Sequence, residues 1–145
     1  MKKKIPDIIC GLLILLFLYA AISKLLAFGQ FRFVLSRAPL TGNHSTLIAA
    51  LVPAMELIIA ALLIIPSSSK AGMMSAVSLL IVFTTYVAFM VLTDPDLPCS
   101  CGGVIQQLSW KQHIAFNIFF IVLAIIGIYF QRHTLFKAKQ RTDIL

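Results

Sequence analysis

Apolar residues along this chain come in long blocks rather than in the alternation of a strand or the single stripe of a soluble helix. Positions 8–26, 47–65, 71–92 and 114–130 each run 17 to 22 residues with at most one charge. A helix needs about 20 such residues to cross the hydrocarbon core of a bilayer. The pattern therefore predicts an all-α integral membrane protein, a single-domain four-helix bundle over residues 1–145. Between the first two blocks, Phe28, Phe31, Val34, Leu35 and Ala38 fall on one helical face, with Gln30, Arg32, Ser36 and Arg37 roughly opposite. That spacing predicts a short amphipathic helix over 28–38, lying in the membrane interface rather than crossing it. Pro39 and the Thr41–Gly42–Asn43 stretch end it. The segment "PSSSK" at 66–70 is a tight turn that makes the second and third spans an antiparallel pair. Gly72, Ser75, Ala76 and Ser78 offer a small-residue face to a neighbouring helix. Pro6 is tolerable in a first turn, and Trp110 with Lys111 suits the interface before the fourth span.

Composition sharpens this picture. The 145 residues are 60% hydrophobic and 12% charged, against about 45–50% and 25% in soluble domains. Lys2, Lys3 and Lys4 before an apolar run could also open a cleaved signal peptide. The run is long for a signal core, however, and no small-residue cleavage site follows it. Cys10 has almost no apolar core before it, which makes it a poor lipidation cysteine.

The net charge of +7 is distributed by side. Lys2, Lys3, Lys4, Lys70, Arg132, Lys137, Lys139 and Arg141 share one side if four spans alternate. Arg32, Arg37 and Lys111 lie on the other, with Lys24 near a helix end. The positive-inside rule puts both termini and the basic tail, 131–145, in the cytoplasm of a bacterial inner membrane. Anionic lipid is a sufficient partner for that tail, so nothing in the charge calls for nucleic acid. The loop 93–111 then faces outward, where disulfides persist.

That loop reads "TDPDLPCSCGGVIQQLSW". Cys99 and Cys101 stand one residue apart. An extended i to i+2 pair has its Cα atoms near the upper edge of the disulfide range, and a bend brings them inside it. So small a ring is strained, and strained or exposed disulfides are the labile or catalytic ones. Gly102 and Gly103 supply loop flexibility for the bend, while Pro95 and Pro98 stiffen the approach. A redox pair is the leading reading. A zinc site with His113 and an aspartate matches no common spacing, and two passive thiols remain the plain alternative. Cys10, a membrane thickness away, reads as a packing thiol.

Glu56 sits in the middle of block 47–65, about 14 Å from its outer end at 1.5 Å per residue. An ionised side chain there carries an insertion cost of about 2.5–3.5 kcal/mol. It reads either as a proton-handling or ligand-contacting group, or as a carboxyl hydrogen-bonded locally. On the same scale Thr84, Thr85, Tyr86, His113, Asn117 and Lys24 all fall in the outer half of their spans, and the inner half is nearly pure hydrocarbon. If their faces converge they line a cavity beneath the cysteine loop. Otherwise Thr and Tyr bond locally and Lys24 snorkels outward.

Taken together, "SKLLAFGQFRFVLSRAPL", "VPAMELIIAALLI", "PCSCGG" and "LSWKQHIAFNIFFIVLA" resemble the MauE/DoxX group of membrane proteins across nearly the whole chain. The resemblance implies a four-span, redox-associated protein. For MauE it implies a part in methylamine utilisation, assisting maturation of the disulfide-rich small subunit of methylamine dehydrogenase. For DoxX-type relatives it implies quinone-linked sulfur oxidation, which makes a quinone a possible cofactor. A looser likeness is to the vitamin K epoxide reductase fold, whose active pair is Cys-x-x-Cys where this chain has Cys-x-Cys. The expected activity is thiol–disulfide exchange by Cys99 and Cys101 with a thioredoxin-like or disulfide-containing client. Glu56, Tyr86, His113, Asn117 and Lys24 are the expected proton or ligand contacts, and no metal is expected. Two other readings belong to different classes. One is a small proton-coupled transporter built on Glu56, and the other is a non-catalytic assembly partner for a redox protein.

Overall fold

The computed structural model of the protein describes residues 4–93 and 110–142, with side chains described for 4–93 and 111–133. Cys99, Cys101, Gly102 and Gly103 lie outside the described residues. The elements are α1 (Lys4–Leu26), α2 (Phe28–Arg37), a 3₁₀ turn (Gly42–His44), α3 (Ser45–Ile64), α4 (Ser69–Thr93) and α5 (Trp110–Thr142). Among the described residues there is no strand. Four helical stretches, Lys4–Leu26, Gly42–Ile64, Ser69–Thr93 and Lys111–His133, are long and apolar enough to cross a membrane. The fold is an all-α bundle of four spanning helices.

The four pack as a square in the order α1, α3, α4, α5, with α1 touching α4 only slightly across one diagonal. Neighbours therefore run antiparallel. One end of the square carries the 65–68 turn between α3 and α4, here termed the turn end. The other, the loop end, is where α4 and α5 meet segment 94–109.

The turn-end half is mostly hydrocarbon. Ile9, Leu13, Phe17, Ile59, Leu63, Met73, Leu79 and Leu80 form its buried core with Ala60, Ala76 and Ala124. Gly72 permits a close crossing of α4 on α3: a Cβ on it would stand 2.9 Å from the backbone N of Leu63. Of the expected small-residue face, Gly72 and Ala76 are buried, whereas Ser78 is exposed and donates to its own helix at Met74 O, 3.0 Å. The turn is closed by Ser68, which donates to Leu62 O at 2.9 Å. Gln131 Nε2 donates to Ser69 Oγ at 2.8 Å, tying α5 to the start of α4.

The loop-end half is built differently. The chain turns sharply at Ala27, and α2 begins almost without a gap. Its apolar face is the expected one: Phe31, Leu35 and Ala38 are buried, while Gln30, Arg32, Ser36 and Arg37 are exposed. That face rests on the protein itself. Phe31 and Leu35 pack on Ala49 of α3, with Tyr86 of α4 alongside, and Ala38 packs on Met90 of α4. Thr41 Oγ1 donates to Leu35 O at 2.8 Å and pins the exit from α2. The helix thus covers the portions of α3 and α4 that extend beyond the end of α1. At the opposite end, α5 continues without a break to Thr142, so the basic tail begins as an extension of the last span.

Candidate functional site: a buried ion pair and polar cavity

Two opposite charges, 32 positions apart in sequence, meet inside the bundle. Lys24 Nζ donates to Glu56 Oε1 at 2.8 Å, and their side chains are 4% and 3% exposed. Their depths explain how. Glu56 lies about 16 Å along α3 from Ser45, whereas Lys24 is only about 3 Å from the end of α1. They can touch only because α1 stops well short of the level at which α3 starts. Lys24 itself is 3% exposed, although Leu25 and Leu26 beyond it at the end of α1 are exposed, and Phe31 of α2 lies against its ammonium. The snorkelling alternative for Lys24 is thereby replaced by a direct ion pair. The ammonium is walled by aromatic rings, with the Phe83 centroid at 5.4 Å and that of Phe31 at 5.9 Å. Both are within the ~6 Å reach of a cation–π contact. A second, longer contact runs to Ala20 O at 3.5 Å.

The pair explains how the chain tolerates a carboxylate in the middle of an apolar helix. An unpaired buried charge is strongly disfavoured, and a partner at hydrogen-bonding distance offsets much of that cost. Pro53, one turn before Glu56 and buried, contributes no N–H to the helix ladder.

His113 and Asn117 complete the site from α5, where they occupy successive turns and are 4% and 6% exposed. By the same rise they lie about 4 and 10 Å from Trp110, while Phe83 is about 15 Å from the end of α4. α5 thus also begins below the level of its neighbours. Lys24, Glu56, His113 and Asn117 line one cavity of about 40 Å³ together with Phe17, Leu80, Phe83 and Phe116. All four spanning helices contribute to it. Glu56 Oε2, His113 Nδ1 and Asn117 Nδ2 are buried there without a hydrogen-bond partner among the described residues. A water needs roughly 10–15 Å³ of such space, so the cavity has room for about two or three waters.

The polar residues expected to converge do meet at the loop end, with a membership that differs in detail. Lys24, Glu56, His113 and Asn117 come together. Tyr86 is not in the lining; it packs beside the α2 contact with α3. Thr84 and Thr85 donate to Leu80 O and Ile81 O of their own helix, at 2.7 and 2.9 Å. Cys10 is at the turn-end half, where its thiol points to Leu63 O at 3.4 Å. Among the described residues no cluster of three metal-ligand side chains occurs. The contacts that sequence reasoning passed over are the Lys24–Glu56 pair itself and the Phe31 and Phe83 walls. The available signal was a lone cation in the first block and a lone anion in the second.

Compared with known proteins, the chain matches the family described as methylamine utilisation protein MauE over residues 2–130. Neither a curated protein nor a solved structure matches it.

Proposed function

The chain belongs to the MauE family, and from that premise we propose that it exchanges thiols and disulfides with client proteins at Cys99 and Cys101 on the outer face of a bacterial inner membrane. The observation that carries this reading is the position of the polar cavity. It lies at the loop end, with His113 and Asn117 on the first turns of the helix that follows the cysteine segment. A catalytic loop attached to a purely apolar bundle would have no polar groups behind it; this bundle concentrates them there.

In the proposed reaction the Cys99–Cys101 disulfide accepts two electrons from a client dithiol. A client thiolate attacks one sulfur to give a mixed disulfide, and the second client thiolate then displaces Cys99 or Cys101. The client leaves oxidised, and the two cysteines leave reduced as thiols. A thioredoxin-like protein in its disulfide form takes the two electrons and restores the pair. A family concerned with methylamine utilisation suits this role if its client is an exported, disulfide-containing enzyme of that process. The charge distribution supports the orientation, with both termini cytoplasmic and the loop outside.

The transporter reading gains less support. Glu56 is held by Lys24, and the cavity admits only a few waters. Client oxidation in cells tests the proposal. The Cys99→Ser/Cys101→Ser double variant, present in membranes at the normal level, is expected to leave the client reduced, while Cys10→Ser leaves it oxidised. Full client oxidation in the double variant would falsify the reading.

A further inference from the structure

Three buried polar atoms on residues lining one small cavity have no hydrogen-bond partner among the described residues: Glu56 Oε2, His113 Nδ1 and Asn117 Nδ2. A buried polar group left unsatisfied is costly, and more so when charged. Three in one place is a built arrangement rather than a packing accident. Their chemistry is complementary. The carboxylate oxygen accepts, the amide nitrogen donates, and the imidazole nitrogen does either according to its tautomer. Water is the ligand that satisfies all three at once, and about two or three molecules fill a cavity of about 40 Å³.

We infer that this cavity is a hydrated proton-exchange site, in which water held by His113 and Asn117 carries a proton to and from the Glu56 carboxylate beside Lys24. Oε1 is occupied by the ammonium, so the incoming proton binds at Oε2, the oxygen that faces the water. Uptake converts the neutral ion pair into a carboxylic acid beside an ammonium, with one net positive charge. Release restores the pair. The charged and titratable groups around Glu56 are Lys24 from α1 and His113 from α5. The other two elements packed there present Leu80 and Phe83 from α4 and Phe31 from α2, none of which titrates. The apolar core toward the turn end offers no continuation, so exchange runs only with the loop end. The site is thus a proton store at one end of the bundle, not a path through it. Its use in thiol chemistry, as the place where protons of the reacting thiols are taken up or returned, rests on the proposed function. The proton exchange itself does not.

The sequence permits a test that needs no substitution, because Glu56 is the only glutamate in the chain. The full chain is labelled with carboxyl-¹³C glutamate, placed in lipid nanodiscs and titrated by infrared difference spectroscopy in H₂O and D₂O. The expected result is an isotope-shifted carboxylic C=O band that grows reversibly as pH falls and moves to lower frequency on transfer to D₂O. His113→Phe and Asn117→Leu, which leave the Lys24–Glu56 pair in place, are expected to slow that deuterium shift several-fold. A labelled carboxyl that stays in one protonation state throughout the folded range overturns the inference. So does a C=O band that ignores D₂O, or one whose exchange is as fast in both variants as in the unsubstituted chain. Cysteine-free protein is expected to give the same spectra, so failure of the thiol chemistry would leave this result standing.

Discussion

Lys24 and Glu56 carry opposite charges that are tolerable in the bundle only together. Removing one partner of a buried pair typically costs about 3–5 kcal/mol, because the other charge is left uncompensated. Lys24→Met and Glu56→Leu are each expected to destabilise the folded bundle by about that much. The double variant should recover most of the loss, since apolar replacements of a buried pair are often close to neutral. A double-mutant cycle on reversible unfolding in mixed micelles measures this directly. Equal, additive losses would mean that the two side chains do not interact. The pair also marks where sequence reasoning fell short. The cost of Glu56 was legible from its place in an apolar block, as was the gathering of polar residues in one half. The partner was not, because depth counted from each helix's own end assumes that all ends are level. Here α1 and α5 end or begin below α3 and α4, and that offset comes from tertiary packing under α2.

Helix existence and type were legible because twenty consecutive apolar residues carry the signal locally. The amphipathic face of α2 was equally legible from its spacing. What covers that face was not, since lipid and a neighbouring helix are both apolar; in the structure it is α3 and α4. Two glycines test the packing at this scale. Gly72→Ala places a methyl against the backbone of α3, which cannot yield as a side chain would. It is expected to destabilise by about 1–3 kcal/mol, the usual range for overpacking. Gly11→Ala meets nothing within 4 Å, so the better helix propensity of alanine should leave stability equal or raise it by up to about 1 kcal/mol. Unfolding midpoints of the two variants give the comparison, and a destabilised Gly11→Ala would contradict the α1 packing described here.

At the scale of the whole molecule, the bundle divides into a largely apolar turn-end half and a polar loop-end half. The proposed orientation exposes one cysteine pair outside and keeps the third, half-buried Cys10, within the first span. In intact cells treated with a reductant, a membrane-impermeant maleimide is expected to label Cys99 and Cys101 in a Cys10→Ser background. The Cys99→Ser/Cys101→Ser protein should stay unlabelled until the membrane is dissolved. Labelling from the cytoplasmic side alone would invert the topology and remove the pair from the oxidising compartment. The most direct test of the central claim is the redox couple of Cys99 and Cys101, read by thiol trapping in isolated membranes equilibrated against graded glutathione buffers. Thiol–disulfide exchange requires a disulfide that forms and opens reversibly, with a potential in the range of known exchange proteins, about −120 to −270 mV. A pair that never oxidises, or a disulfide below about −300 mV that behaves as a structural bond, would contradict it.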